Sequence, residues 1–131
     1  MLNMMDLEFQ ERVRHWVSAT FDEAGIYDVE TRNHRFLEEA LELAQSNGCT
    51  RDDAHQLVDY VFDRPKGLAK EEAGAVLLTL AALCGALRIN MEQRGEIELH
   101  RVWQLSPQIR AKHLSRPANS PLPGKGGGDD G

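Results

Sequence analysis

Three glutamates in the segment HRFLEEALELAQ, residues 34–45, form the densest group of side chains that could bind a metal ion. Glu38, Glu39 and Glu42 have the spacing EExxE, which places three carboxylates within about one turn of a helix. Like charges at this spacing repel each other, and a divalent cation would offset that repulsion. Carboxylate oxygens are the ligands that Mg²⁺ or Mn²⁺ prefers. A solvated acidic helix face is the ordinary alternative, and spacing alone leaves it open.

A second acidic turn occurs in the segment KEEAGAVLLTL, residues 70–80. On a helical wheel Glu72 borders the apolar stripe of this segment, whereas Glu71 points outward. In the earlier segment Glu38 and Glu42 border the apolar arc and Glu39 points away from it. We therefore expect Glu38, Glu42 and Glu72 to face one another across a helical bundle and to hold one or two cations.

Helices are predicted throughout the chain by apolar residues at three- and four-residue spacings. Asn47-Gly48 should end the second helix, and Thr50 with Asp53 should form a capping box that begins the third. The predicted helices cover roughly 6–24, 28–46, 50–62 and 68–89, with a fifth beginning near 91 after Asn90 as cap.

Two positions should interrupt this helical pattern. Gly25 is expected to break the chain between the first two helices. Pro107 either ends the fifth helix or opens another after Leu105, with Ser106 as its cap. These elements predict an all-α fold over 1–114, followed by a flexible tail rich in Pro and Gly over 115–131.

Composition limits the class of partner. The 131 residues suit one domain, and a net charge of −6 argues against binding a nucleic-acid polymer or an anionic membrane. Cys49 and Cys84 form no CxxC motif, and Cys84 falls in an apolar helical pattern, where we expect it in the core. With no secretory signal and no long apolar run, a soluble cytoplasmic protein is expected.

The order of the two acidic motifs resembles the MazG-like nucleotide pyrophosphohydrolases, an all-α superfamily that also includes dimeric dUTPases. EEALEL, residues 38–43, matches the EExxE half of the family pattern, and EEAGAVL, residues 71–77, matches the start of its ExxD half. The likeness extends over roughly 30–90, and RVWQLSPQIRAKHLSRP is similar to the family's trailing basic helix. It implies a MazG-like bundle of four to five helices.

The resemblance also implies an activity, a metal and an assembly. Family members hydrolyse a nucleoside triphosphate to the monophosphate and pyrophosphate with Mg²⁺ (or Mn²⁺), usually as homodimers or homotetramers. Carried over to this sequence, Glu38, Glu42 and Glu72 would be metal ligands. Glu39 would be either a ligand or the catalytic base that orients the attacking water.

One position departs from the family pattern, because Ala75 stands where the ExxD aspartate is expected. Losing one carboxylate weakens the charge balance of a metal site, although Asp59 or Asp63 on the third helix could compensate. Two alternatives therefore stay open: a MazG-like module that binds nucleotides or regulates without catalysis, and an unrelated helical interaction protein.

Three basic residues near the end of the helical region are candidates for substrate binding. Arg101, Arg110 and Lys112 could contact phosphate oxygens, the arginines as two-pronged donors and the lysine as a point charge. The alternative is that they are solvated or offset nearby acids.

Overall fold

The protein is described by a computed structural model that covers Asn3 and residues 7–115, and every regular element in this part of the chain is a helix. The all-α prediction is therefore confirmed. The helices are α1 (Phe9–Ile26), α2 (Val29–Ser46), α3 (Arg51–Phe62), α4 (Ala69–Leu87), α5 (Met91–Gln104) and α6 (Ser106–Leu114). Residues 116–131 of the predicted tail lie outside the described residues.

The described helices number six, so the prediction of four to five is wrong. The additional helix, α6, begins directly after Leu105, with Pro107 in its first turn. Proline is tolerated there because the first N–H groups of a helix have no partner within the helix. Leu105 is the N-cap in place of the predicted Ser106, whose hydroxyl donates back to the Val102 carbonyl oxygen at 3.0 Å.

Two of the predicted helix starts are confirmed by their hydrogen bonds. The Thr50 hydroxyl accepts from the Asp53 N–H at 3.1 Å, and the Asp53 carboxylate accepts from the Thr50 N–H at 3.5 Å, which completes the capping box of α3. The side-chain oxygen of Asn90 accepts from the Gln93 N–H at 2.9 Å and so caps α5.

The break predicted at Gly25 is wrong, because α1 continues to Ile26 and is interrupted earlier, at Asp22. Asp22 has φ 69° and ψ 177°, and its carboxylate accepts from the Gly25 N–H at 3.2 Å, so it caps the final turn. Gly25 is needed for a different reason. A Cβ at this position would lie 2.6 Å from the Cβ of Phe21.

The chain divides into two compact units. The terminal unit comprises Met1–Phe36 and Gly95–Gly131, and the central unit comprises Leu37–Arg94. The boundaries fall within α2 and α5, so each of these helices contributes to both units.

In the terminal unit α1 packs against α6 around a small core. Val17 and Leu99 are buried, and so are two threonines: Thr20 is 1% exposed and Thr31 is 2% exposed. The ring of Phe21 lies beneath the guanidinium of Arg32, 4.7 Å from ring centroid to Cζ. Aromatic and polar contacts thus hold together α1 and the first part of α2.

The central unit has almost no core of its own. Between residues 37 and 94, all of which the structure describes, Cys84 is the one buried residue, at 8% exposure. This confirms the prediction for Cys84. No residue of α3 is buried: its apolar side chains Leu57, Val58 and Val61 are about half exposed, and Phe62 is 82% exposed. No helix of the described chain buries these side chains.

Candidate functional site

The EExxE carboxylates lie on the uninterrupted part of α2 that belongs to the central unit. The helix starts where the Asp28 carboxylate accepts from the Thr31 N–H at 3.1 Å. Glu38 is partly buried, whereas Glu39 and Glu42 are exposed. Glu38 and Glu42 are separated by four residues and therefore lie one above the other on the same face.

Glu72 lies in the first turn of α4, also in the central unit. Its N–H and that of Glu71 both donate to the Leu68 carbonyl oxygen at 3.0 Å. The Glu72 carboxylate turns back over Gly67, where a Cβ would overlap its Oε1 atom. Glu72 therefore extends along the loop that precedes α4, and the absence of a side chain at Gly67 leaves room for it.

Carboxylates are suitable ligands for a divalent cation, but the described part of one chain does not bring three potential ligands together. Among Asn3 and residues 7–115, no three His, Cys, Asp or Glu side chains lie close enough together to hold a metal ion. The three-carboxylate cluster expected from Glu38, Glu42 and Glu72 is thus not formed by a single chain. Mg²⁺ sites in proteins commonly use one or two carboxylates and complete their octahedron with water and substrate phosphates. Glu38 and Glu42 match that smaller requirement.

Ala75 follows Glu72 by almost one turn and is exposed on α4. The nearby Thr79 hydroxyl donates to the Ala75 carbonyl oxygen at 3.0 Å and to that of Val76 at 3.1 Å. Its hydrogen-bond donor is therefore paired within α4. Asp59 lies within α3 and Asp63 is the residue that ends it. Neither aspartate belongs to a metal-holding group in the described part of the chain.

The predicted phosphate-binding residues belong to the terminal unit. Arg101 donates through Nε to both carboxylate oxygens of Glu98 at 3.1 Å, so part of its charge is offset on its own helix. Arg110 is exposed on α6, and Lys112 is partly buried in the last turn of that helix. A cation in a last turn is favoured there by the helix dipole.

The structure also contains an open groove that the sequence did not indicate. Its volume is about 560 Å³, and it lies in the terminal unit. None of the predicted site residues line it. It is lined by the apolar residues Val13, Val17 and Ile26 and by the charged residues Glu8, Glu11, Arg14 and Arg32. The pKa of Arg14 is raised first by a hydrogen bond with Tyr27 and then by the charge of Glu11. The two acids and two arginines of the lining offset each other, so the groove has no net preference for phosphate.

No single described helix is long and apolar enough to cross a membrane, and only α4 and α5 taken together as a bent pair reach that length and composition. Comparison of the chain with protein-family models, characterised proteins and solved structures finds no match.

Proposed function

We propose that the protein is a divalent-metal-dependent nucleotide pyrophosphohydrolase of the MazG-like kind, which converts a nucleoside triphosphate to the monophosphate and pyrophosphate. One observation carries the proposal: the complete EExxE turn lies on a continuous helix with Glu38 and Glu42 on one face. The second acidic turn follows at the start of α4, in the order that the family resemblance requires.

In this proposal Glu38 and Glu42 would hold Mg²⁺ or Mn²⁺, and Glu72, which does not join them in one chain, would add its carboxylate from another copy of the chain. The bound cation would neutralise part of the triphosphate charge and polarise the bond that breaks. Glu39 points away from Glu38 and Glu42 on the helical wheel, so its role of orienting the attacking water and accepting the proton requires that it face a second layer of helices or another subunit. The water oxygen bonds to the α-phosphorus, the bond from that phosphorus to the bridging oxygen breaks, and pyrophosphate leaves.

Arg101, Arg110 and Lys112 are proposed to bind the phosphates. Arginine offers paired donors to phosphate oxygens, and lysine offers a compact positive charge. The protein has a net charge of −6, so as a whole it repels a triphosphate. Local positive charges must offset that repulsion, and these three residues should therefore contribute mainly to substrate binding. The base and sugar of the substrate are left open by this assignment.

A second candidate function is a MazG-like module that binds nucleotides or a regulatory partner without hydrolysis. Two observations favour it. Ala75 replaces the aspartate of the ExxD half, and the described residues of one chain contain no group of three potential metal ligands. Such a module would bind a triphosphate and leave it intact.

Thermal unfolding with added ions and nucleotides tests the metal site. Mg²⁺ or Mn²⁺ at millimolar concentration should raise the Tm of the native chain, because a ligand that binds only the folded state stabilises it. Glu42→Gln should lose that response, whereas the exposed Glu71→Gln on α4 should keep it. A Tm that is indifferent to both ions would refute the metal site. A Tm raised by a triphosphate without either ion would favour the non-catalytic module.

A further inference from the structure

The open groove of the terminal unit has opposite charges at its two ends. Glu8 and Arg32 both line it. Glu8 directly precedes α1, and the Cζ atom of Arg32 lies 4.7 Å from the centroid of the Phe21 ring. Phe21 follows Glu8 by thirteen positions of regular helix, which corresponds to about 20 Å along the axis. A carboxylate therefore lies at one end of the groove and a guanidinium at the other.

The middle of the groove is apolar. Val13 and Val17 are four residues apart and share one face of α1, and Val17 is buried. Ile26, the last residue of α1, adds a third apolar side chain to the lining. The volume of about 560 Å³ lies within the range of roughly 300–1,000 Å³ that is typical of sites for small ligands.

The two end charges are placed to meet a ligand. Glu11 and Arg14, which also line the groove, form an ion pair of 3.2 Å with each other. Glu8 is exposed, and its side chain makes no capping hydrogen bond to α1. Arg32 is partly buried and lies against Phe21. A guanidinium contacts a ring through its flat face and a carboxylate through its N–H edge, so one arginine can do both.

A strained bend in α1 supplies one wall of the groove. Asp22 has φ 69° and ψ 177°, a conformation that strains any residue except glycine. The turn after it packs so closely that a Cβ at Gly25 would lie 2.6 Å from the Cβ of Phe21. Ile26 comes directly after this turn. Strained backbone of this kind concentrates at ligand sites and switch regions, so the bend supports a binding role for the groove.

We propose that the groove binds a short peptide that has apolar side chains and free termini. The peptide's ammonium group pairs with Glu8, its carboxylate pairs with Arg32, and its side chains lie on the apolar middle of the groove. Once the side chains of Glu8 and Arg32 extend toward each other, a span of roughly 10 Å is left, which an extended chain of three residues fills. The proposal concerns the terminal unit alone and does not depend on the proposed hydrolase activity.

The pairing of one acidic end with one basic end favours a zwitterion over ligands of a single charge. A fatty acid would satisfy Arg32 but would leave its apolar chain beside the Glu8 carboxylate, which loses water without gaining a partner. A polyamine would bring positive charge to Arg32, where like charges repel. A peptide with free termini offers a partner of the right sign to each end.

Titration of the isotope-labelled full chain with tri-leucine, followed by nuclear magnetic resonance, tests the proposal. The peptide should cause saturable shifts in the amide signals of Val13, Val17 and Ile26. Acetylation of the peptide's N-terminus removes the ammonium charge, and amidation of its C-terminus removes the carboxylate. Each modification should raise the dissociation constant about tenfold, because it deletes one charge-assisted contact.

Two variants assign the ends of the peptide. Glu8→Gln should weaken the binding of tri-leucine about tenfold but should bind the acetylated peptide as the native chain does, since that peptide has no ammonium group to lose. Arg32→Met should behave in the same way toward the free and the amidated peptide. Arg94→Met removes an exposed arginine of α5 outside the groove and should leave all three dissociation constants unchanged.

Three results would overturn the proposal. The first is the absence of saturable shifts at the groove with tri-leucine. The second is an acetylated or amidated peptide that binds as tightly as the free one, which would identify a site for an apolar ligand of a single charge or of none. The third is a Glu8→Gln variant that weakens the free and acetylated peptides equally. If Arg32→Met does not fold, the exposed Glu8 and the acetylated peptide decide the question.

Discussion

The hydroxyl of Thr20 donates a hydrogen bond of 3.0 Å to the hydroxyl of Ser106, and this contact joins α1 to the first residue of α6. The indole N–H of Trp16 donates to the same Ser106 oxygen at 3.0 Å. Ser106 in turn donates to the Val102 carbonyl oxygen. Since Thr20 is 1% exposed, this contact lies in the interior of the terminal unit and gives its helices a specific register.

Ser106→Ala should destabilise the protein by about 1–3 kcal/mol, because it removes the acceptor of the buried Thr20 hydroxyl. Ser46→Ala is the control, since the Ser46 hydroxyl makes its 2.7 Å bond to Leu43 at an exposed position, and its cost should stay under about 0.5 kcal/mol. Urea unfolding measures both. The double variant Thr20→Val/Ser106→Ala should cost less than the two single changes added together. Strict additivity would show that the two hydroxyls are not coupled.

Arg12 and Glu96 form a two-pronged ion pair between α1 and α5 that should make stability depend on pH. Arg12 Nη1 donates to Glu96 Oε2 at 2.7 Å, and Nη2 donates to Oε1. These hydrogen bonds, followed by the Arg12 charge, lower the pKa of Glu96 below its ordinary 4.5. The pKa of Glu96 is lower in the folded state than in the unfolded state. The pair therefore stabilises the folded protein fully above pH 4.5, and this stabilisation is lost as the pH falls through the folded-state pKa of Glu96.

Glu96→Gln should therefore be less stable than the native protein at neutral pH, and the two stabilities should converge in acid below pH 4.5. Urea unfolding across this range measures the difference. A stability gap that stayed constant from neutral to acid would show that Glu96 titrates alike in the folded and unfolded states. A gap that widened in acid would reverse the sign of the shift.

Asp22 holds a backbone conformation that only glycine adopts without strain. With φ 69° and ψ 177° it should store about 1–3 kcal/mol, while its carboxylate caps the last turn of α1. Asp22→Gly should raise the free energy of unfolding by about 1 kcal/mol, because glycine relieves the strain and loses only a few tenths as a cap. Asp22→Ala should lower it, since alanine loses the cap and keeps the strain. Denaturant unfolding should show changes of opposite sign in the unfolding free energy of the two variants. Changes of the same sign would contradict this account of the kink.

Ala75→Asp restores the missing carboxylate of the ExxD half. Ala75 is exposed, so the aspartate meets water and should change the unfolding free energy by under about 0.5 kcal/mol without metal. If the ExxD half of the family pattern applies to α4, calorimetry should show tighter Mg²⁺ binding by the variant, and its pyrophosphate release should increase. An unchanged dissociation constant for Mg²⁺ would show that this turn of α4 does not face the cation.

The parts of the fold that were predictable from sequence are those fixed by short-range chemistry. The box formed by Thr50 and Asp53 needs only residues three apart, and the stop at Asn47-Gly48 needs only a residue that tolerates positive φ, which Gly48 adopts at 91°. Both were predicted. The interruption at Asp22 was not, because aspartate rarely adopts this conformation and Gly25 offered the more usual signal.

The candidate site was only partly predictable, for a different reason. Periodicity placed the EExxE turn on a helix and Glu72 at the start of another, and both helices formed there. A helical wheel gives the direction of a side chain about its own axis, however, and not the partner that the helix meets. The same limit explains α3, whose apolar side chains recur at helical spacing but are not buried by the described chain.

Pyrophosphate release from a mixture of nucleoside triphosphates, measured with and without Mg²⁺ or Mn²⁺, tests the central claim most directly. The account predicts that the native chain releases pyrophosphate and the nucleoside monophosphate in equal amounts only when one of these ions is present. Glu42→Gln should lose this activity and Glu71→Gln should retain it. Triphosphates that remain intact with either ion, or release by Glu42→Gln at the native rate, would contradict the proposed function.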